Sequence, residues 1–306
     1  MPEQLVGKKI LIAGITGKVA APIAEALSVD NEVWGLARFG AGDARSTLEG
    51  QGIHCVAVDM IDGTFDEVPT DFDHVLNFSI VKTKDWSRDL DGNVGGLGRL
   101  MFHTRSASSF LHCSSTAVYQ SDGHRRFSET DALGDNHRPL LGMSTYSISK
   151  IAAEAMARFC ATSLSMPTTI ARLNVPYGPK GLWPANHVAT ILAGDPIFVH
   201  TNAPNEFNPI HIDDIVAMIP GMLAAASVPA TLVNWAGDDT VSIEVWCAFL
   251  GELLGREPRF QPVDGTIESV AIDVSLMNEL VGHTTVAWRD GMRRMVADLC
   301  PDLVSQ

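Results

Sequence analysis

The stretch from Lys9 to Leu27 restricts the fold more than any other. Lys9-Ile10-Leu11-Ile12-Ala13 is a short apolar run of the kind that forms a strand buried on both faces of a parallel sheet. Gly14-Ile15-Thr16-Gly17-Lys18-Val19-Ala20 follows, leading into a helix whose apolar face carries Ile23, Ala24 and Leu27. Glycines at such a strand-to-helix turn let the backbone approach a pyrophosphate closely, and the helix N-terminus offers free N–H groups to the anion. Gly14, Thr16, Gly17, Lys18 and Val19 are therefore candidate cofactor-binding residues. Ala20 stands where a third glycine is usual, a position that serves helix packing.

Further strands are predicted over 32–37, 53–58, 74–79, 109–113, 168–172 and 231–235, alternating with helical stretches. That alternation gives an α/β fold, a Rossmann-type doubly wound parallel sheet. Residues 1–175, completed by 210–240, are expected to form a dinucleotide-binding domain. Residues 176–209 and 241–306 are expected to form a smaller mixed substrate lobe. The second strand ends at Arg38, where an NAD-selecting site presents a carboxylate to the ribose 2′-hydroxyl, and arginine there favours a 2′-phosphate. With Lys18 and Arg45 nearby, NADP is the expected cofactor and NAD the weaker alternative. The third strand ends at Asp59-Met60 and the fourth delivers Phe78-Ser79, all on the edge of the sheet that borders the cofactor crevice. Residues 85–105 carry Gly92, Gly95, Gly96 and Gly98, a load that requires either close helix packing or a broken helix.

The acidic balance, a net charge of −14, and the lack of Lys/Arg runs argue against nucleic-acid or anionic membrane partners. Five scattered cysteines without C-x-x-C spacing indicate neither a disulfide framework nor a zinc site and fit a reducing cytoplasm. The start Met1-Pro2-Glu3-Gln4 leads into too short an apolar run for a signal peptide, and Pro220 and Gly221 interrupt the one long apolar stretch, 215–233. A small-molecule substrate is the expected partner.

Tyr146 and Lys150 lie four residues apart in a sequence rich in helix formers and so project from one face. A free tyrosine has a pKa of about 10, and bringing it to about 7 requires roughly 4 kcal/mol. An exposed i,i+4 pair supplies only about 0.3–0.5 kcal/mol, so burial and a further positive charge must contribute the rest. Ser115 reaches the same edge of the sheet from the fifth strand.

Together these pieces resemble the extended short-chain dehydrogenase/reductase superfamily, the NAD(P)-dependent epimerase/dehydratase group, over nearly the whole chain. The resemblance rests on Gly14-x-x-Gly17-x-x-Ala20, Asp59-Met60, Asn93, Ser114-Ser115-Thr116-Ala117-Val118-Tyr119, Tyr146-x-x-x-Lys150, Arg172 through Tyr177-Gly178-Pro179, and His211-Ile212-Asp213-Asp214. It implies that Ser115, Tyr146 and Lys150 are the catalytic set: Ser115 binds the reacting oxygen, Tyr146 passes the proton, and Lys150 holds the nicotinamide ribose. It places Asp59 and Met60 near adenine, and Lys82 and Asn93 near the cofactor.

The departures from the family pattern narrow the subtype. Dehydratases carry an Asp-Glu pair where Thr116-Ala117 stand, and the reductive epimerases carry a cysteine where Ala117 stands; His187 resembles the histidine of the latter. The expected function is an NADP-dependent oxidoreductase acting on a secondary alcohol or ketone. The alternatives are an NAD(P)-dependent sugar-nucleotide epimerase passing through a transient ketone and a non-catalytic cofactor-binding sensor, the latter disfavoured by the intact Ser115, Tyr146 and Lys150. The absence of Arg and Lys between Leu182 and Pro209, and the presence there of Trp183, Ile197, Phe198, Val199 and Phe207, point to an apolar substrate pocket. A homodimer is expected from the resemblance and from the glycine-rich segment.

Overall fold

Seven apolar runs form one sheet in the computed structural model, which describes residues 5–40, 42–140 and 142–304. Met1 to Gln4, considered above for export signals, lie outside the described residues. The strands are β1 (Lys9–Ala13), β2 (Glu32–Ala37), β3 (His54–Ala57), β4 (His74–Asn77), β5 (Ser109–Ser115), β6 (Thr168–Leu173) and β7 (Thr231–Trp235). Their spatial order is β7-β6-β5-β4-β1-β2-β3, the parallel doubly wound arrangement the alternation predicts. Ala13 lies level with Leu36 of β2 and Asn77 of β4, so the first strand ends beside both neighbours where the strand order reverses. Ile10, Leu11 and Ile12 have no exposed surface. Burying each such side chain contributes about 1.5–3 kcal/mol, which is why this run is apolar without alternation.

The principal helices of this layer are α1 (Ala20–Leu27), α2 (Ala44–Gly50), α3 (Trp86–Leu90), α4 (Gly96–His103) and α5 (Tyr146–Ser163). Residues Asp91–Gly95 between α3 and α4 form a π-turn, so the glycine-rich segment is one helix with an inserted bulge. Its glycines serve close packing. A Cβ on Gly92 would stand 2.5 Å from Val81, one on Gly96 would stand 2.3 Å from the Met60 carbonyl oxygen, and one on Gly98 would stand 3.1 Å from Met156 of α5. The strand predicted over 74–79 stops at Asn77, whose Oδ1 accepts from the Ser79 N–H at 3.1 Å and turns the chain out of the sheet.

The chain divides into two compact units: Met1–Ser115, Thr145–Arg172 and Val216–Val233 in the first, and Thr116–Ser144, Leu173–Ile215 and Asn234–Gln306 in the second. Residues 116–144, expected in the first domain, fall in the second unit. Phe127 stacks on Tyr119 at 5.1 Å and bridges to Ile272, which knits this loop into the second unit's core. The second unit also contains a helix the sequence reading overlooked, Trp183–Ala193, with Pro in its first turn and Gly194 in the left-handed conformation after it. Among the described residues no helix is long and apolar enough to cross a membrane, and no His/Cys/Asp/Glu group is arranged to hold a metal ion.

Candidate active site

The glycine turn forms as its sequence requires. Gly14 has φ +78°, its N–H donates to the Leu36 carbonyl at 2.8 Å, and a Cβ there would lie 2.7 Å from the Ser79 backbone. Gly14, Thr16, Gly17, Arg38, Asp59, Met60, Phe78 and Ser79, eight of the expected cofactor residues, line one cleft of ≈ 210 Å³. Leu36, Ala37, Val58, Ile80 and Val81 complete it and were not singled out from the sequence. Lys18 and Val19 lie outside the lining. A backbone cradle that a single methyl group would fill, at the N-terminal end of α1, fits the pyrophosphate of a dinucleotide.

The far wall of the cleft is held from α4. Asp59 Oδ1 accepts the Ile61 N–H at 2.9 Å, and Arg99 Nη2 donates to the Met60 and Ile61 carbonyls, each at 2.7 Å. Asp59 thus shapes its own turn, and Arg99, absent from the sequence reading, clamps it. Ser79 and Asn93 play similar parts. Ser79 Oγ donates to Asn77 Oδ1 at 2.6 Å, while Asn93 accepts from the Val81 N–H and donates to the Val81 carbonyl, both at 2.8 Å. The buried Asn93 amide therefore fixes the loop that carries Val81 into the cleft lining. Arg38 is exposed at the lip of the cleft and forms no ion pair or hydrogen bond with the described residues. Arg45, in contrast, is engaged by Glu49 at 2.8 Å and the Cys55 carbonyl at 3.2 Å.

Ser115, Tyr146 and Lys150 converge at the carboxyl edge. Ser115 ends β5, Tyr146 opens α5, and their side chains are hydrogen-bonded to each other. Burial pushes the Tyr146 phenol above its ordinary value, while the Ser115 bond and the Lys82 charge pull it down. Lys150 is buried and donates from Nζ to the Cys113 carbonyl at 2.7 Å; burial lowers its pKa. Lys82 is exposed on the loop after β4, with Nζ 4.8 Å from the centroid of the Tyr146 ring.

Beneath this set lies a polar network that motif reading did not supply. Glu154, wholly buried one turn beyond Lys150, accepts from Ser114 Oγ at 2.6 Å and from Arg172 Nε and Nη2 at 2.9 and 2.8 Å. It ties α5 to β5 and β6. A carboxylate four residues from Lys150 on a helix face otherwise rich in alanine was the available clue. His112 on β5 is also buried, with Nδ1 3.2 Å from Asn77 Nδ2, and desolvation holds it neutral.

In the second unit the remaining motif residues act as fold anchors. Tyr119 Oη donates to Asn234 Oδ1 at 2.5 Å. Asp214 accepts from the N–H and hydroxyl of Thr285, each at 2.8 Å. His187 is a core histidine: its Nδ1 accepts from Trp246 Nε1 at 3.0 Å, and burial lowers its pKa to about 4. Ile197, Val199 and Phe207, expected to line an apolar pocket, are only 2–3% exposed and belong to this unit's hydrophobic core.

Residues 10–234 match the model of the NAD dependent epimerase/dehydratase family. The chain belongs to that family. It is an enzyme of the epimerase/dehydratase type. No curated protein sequence is significantly similar to it. Solved structures related in fold include the UDP-N-acetylglucosamine 4-epimerase of Methanobrevibacter ruminantium M1, at 15% identity and TM-score 0.83, covering 97% of this chain and 100% of that one. The UDP-glucuronic acid 4-epimerase of Bacillus cereus matches at 19% identity and TM-score 0.79, covering 95% and 98% of the two chains. The dTDP-glucose 4,6-dehydratase of Bacillus anthracis str. Ames matches at 19% and 0.79, covering 95% and 96%.

Proposed function

We propose that this member of the epimerase/dehydratase family is an NAD(P)-dependent epimerase that inverts a secondary carbinol carbon of a sugar-type substrate. The observation that carries the proposal is the Ser115–Tyr146 hydroxyl pair, with Lys82 and Lys150 close by, at the same sheet edge as the glycine cradle. When bound, the nicotinamide dinucleotide supplies the hydride acceptor and returns the hydride. Ser115 holds the substrate oxygen. Tyr146 takes its proton as the carbinol is oxidised and gives it back on reduction, so the protein ends the cycle unchanged. The epimerase mode, preferred here over the oxidoreductase expected from sequence, is supported by the family and by the substrates named for two of the structural relatives. Thr116 and Ala117, buried in a short 3₁₀ turn, offer no second acid and base for a dehydratase. With Ile197, Val199 and Phe207 committed to a core, the argument for an apolar substrate loses much of its support.

The test is to incubate the protein with UDP- and dTDP-linked sugars deuterated at the carbinol carbon. Epimerisation returns the deuterium to the inverted carbon without net cofactor reduction. One equivalent of reduced cofactor per product would instead establish an oxidoreductase.

A second reading, an NADP-dependent oxidoreductase, is favoured by Arg38, whose uncommitted guanidinium at the cleft lip suits a 2′-phosphate. Under it, Arg38→Asp should weaken NADP binding at least about tenfold, the effect of losing about 1.4 kcal/mol of attraction, and leave NAD nearly unaffected. Calorimetric titration of both cofactors checks this, and equal affinities in the unaltered protein would remove Arg38 as selector. The proposal includes a cytoplasmic setting, consistent with five free cysteines, and a homodimer. Phe102 on α4 and Phe159 on α5 are 61% and 66% exposed on two packed helices, apolar surface that a twofold partner would cover. A monomer mass by light scattering at micromolar concentration would exclude the dimer.

A further inference from the structure

Two lysines lie near Tyr146, and they are held differently. Lys150, one turn along α5, is buried with its Nζ on the Cys113 carbonyl at 2.7 Å. Lys82 forms no ion pair among the described residues, and its Nζ stands over the Tyr146 ring, 4.8 Å from the centroid. A lysine on an exposed loop samples many rotamers, so an ammonium kept over one ring needs a backbone that is itself fixed.

Both neighbours of Lys82 are fixed. Val81 is paired with Asn93 through two hydrogen bonds of 2.8 Å. Thr83 donates to Asp89 Oδ1 from its N–H at 2.6 Å and from its hydroxyl at 2.7 Å. Asp89 Oδ2 accepts from Thr145 Oγ1 at 2.7 Å, and Thr145 immediately precedes Tyr146. One fully buried carboxylate thus ties the Lys82 loop to the start of the tyrosine's helix. Burial opposes its charge, but donors from Thr145, Thr83 and the Lys84 backbone outweigh that and hold the carboxyl below its ordinary value.

We propose that Lys82 is a positioning residue for proton transfer: its ammonium, presented over the Tyr146 ring by the Asp89 clasp, stabilises the phenolate that receives the substrate hydroxyl proton. The proposal rests on Tyr146 being the proton carrier of the function argued above. In the step concerned, the substrate O–H bond breaks and the phenol O–H bond forms, while the hydride leaves the carbinol carbon for the nicotinamide. The titratable and charged groups facing the phenol are Lys82, Cys113 of β5 and Lys150 of α5, with Asp89 of α3 behind Thr145. Burial pushes the Cys113 thiol up to about 11, so it places no competing anion there. Lys82 Nζ lies 4.8 Å from the ring centroid, whereas the Lys150 Nζ is engaged by the Cys113 carbonyl.

The tyrosine content makes a cofactor-free test practical. The chain has three tyrosines, and Tyr119 and Tyr177 have no exposed surface, with burial pushing the Tyr177 phenol upward. Ultraviolet titration of the protein without nicotinamide or substrate, with Tyr146→Phe to assign the step, reads the Tyr146 ionisation directly. Lys82→Met should raise the midpoint of that step by about one pH unit, a tenfold loss of phenolate at fixed pH, and Lys82→Arg should restore it. An unchanged midpoint in Lys82→Met, or an equal shift in Lys82→Arg, overturns the proposal. Because no substrate is present, this titration and the deuterium experiment can fail independently of each other.

Discussion

Tyr146→Phe is expected to lower turnover about 10²–10⁴-fold, the range over which a positioned proton donor acts. Dinucleotide affinity should stay nearly unchanged, since the cleft around Gly14 and Asp59 owes nothing to the phenol hydroxyl. The substitution keeps the ring under Lys82 and removes only the atom bonded to Ser115. Steady-state kinetics beside a cofactor titration checks both halves. Retention of a tenth or more of kcat would require another proton carrier. The sequence nominates His187 as the next candidate, but its Nδ1 is engaged by Trp246 and its burial keeps it neutral.

The second large effect concerns stability. Arg172→Ala removes both guanidinium donors from Glu154 while leaving that carboxylate fully buried with Ser114 and the 3.5 Å contact of Arg158. Breaking a buried pair in this way costs about 3–5 kcal/mol, because one charge remains in a low-dielectric interior without its partner. Replacing both members with apolar side chains of similar size, Glu154→Leu with Arg172→Met, should recover much of the loss. Denaturant unfolding measures each variant, and a loss below about 1 kcal/mol for Arg172→Ala, within the range of an exposed pair, would show that water reaches the site.

What the sequence disclosed follows from which interactions are local. The β1 run, the Gly14 turn and the Tyr146–Lys150 spacing are all decided within a few residues, so periodicity and glycine placement were enough to find them. Asp89, Arg99 and Glu154 were not marked, and Arg172 was marked only as part of the resemblance, because the contacts that give them their roles, Asp89 with Thr145, Arg99 with Met60 and Glu154 with Arg172, span 18 to 56 residues. The same limit misassigned the lobe. Trp183, Ile197, Val199 and Phe207 have the composition of a pocket wall and of a core alike, and only the helix Trp183–Ala193 with its neighbours shows that the latter holds for Ile197, Val199 and Phe207. Asn93 was named by resemblance, and its amide engages the Val81 backbone, a contact twelve residues away that no local pattern announces.

The two units are each assembled from three separate segments, and this orders the birth of the molecule on the ribosome. Once Ser115 has emerged, β1 to β5 are complete, yet β6 is not finished until Leu173 and β7 not until Trp235. At ~5–20 residues per second, β5 waits several seconds for its neighbour. During that interval the run Phe110-Leu111, wholly buried in the finished sheet, sits on an open edge with its backbone N–H and C=O groups unpaired. Such an edge is a template for another nascent chain, so yield during rapid synthesis depends on how well β5 is shielded before β6 arrives.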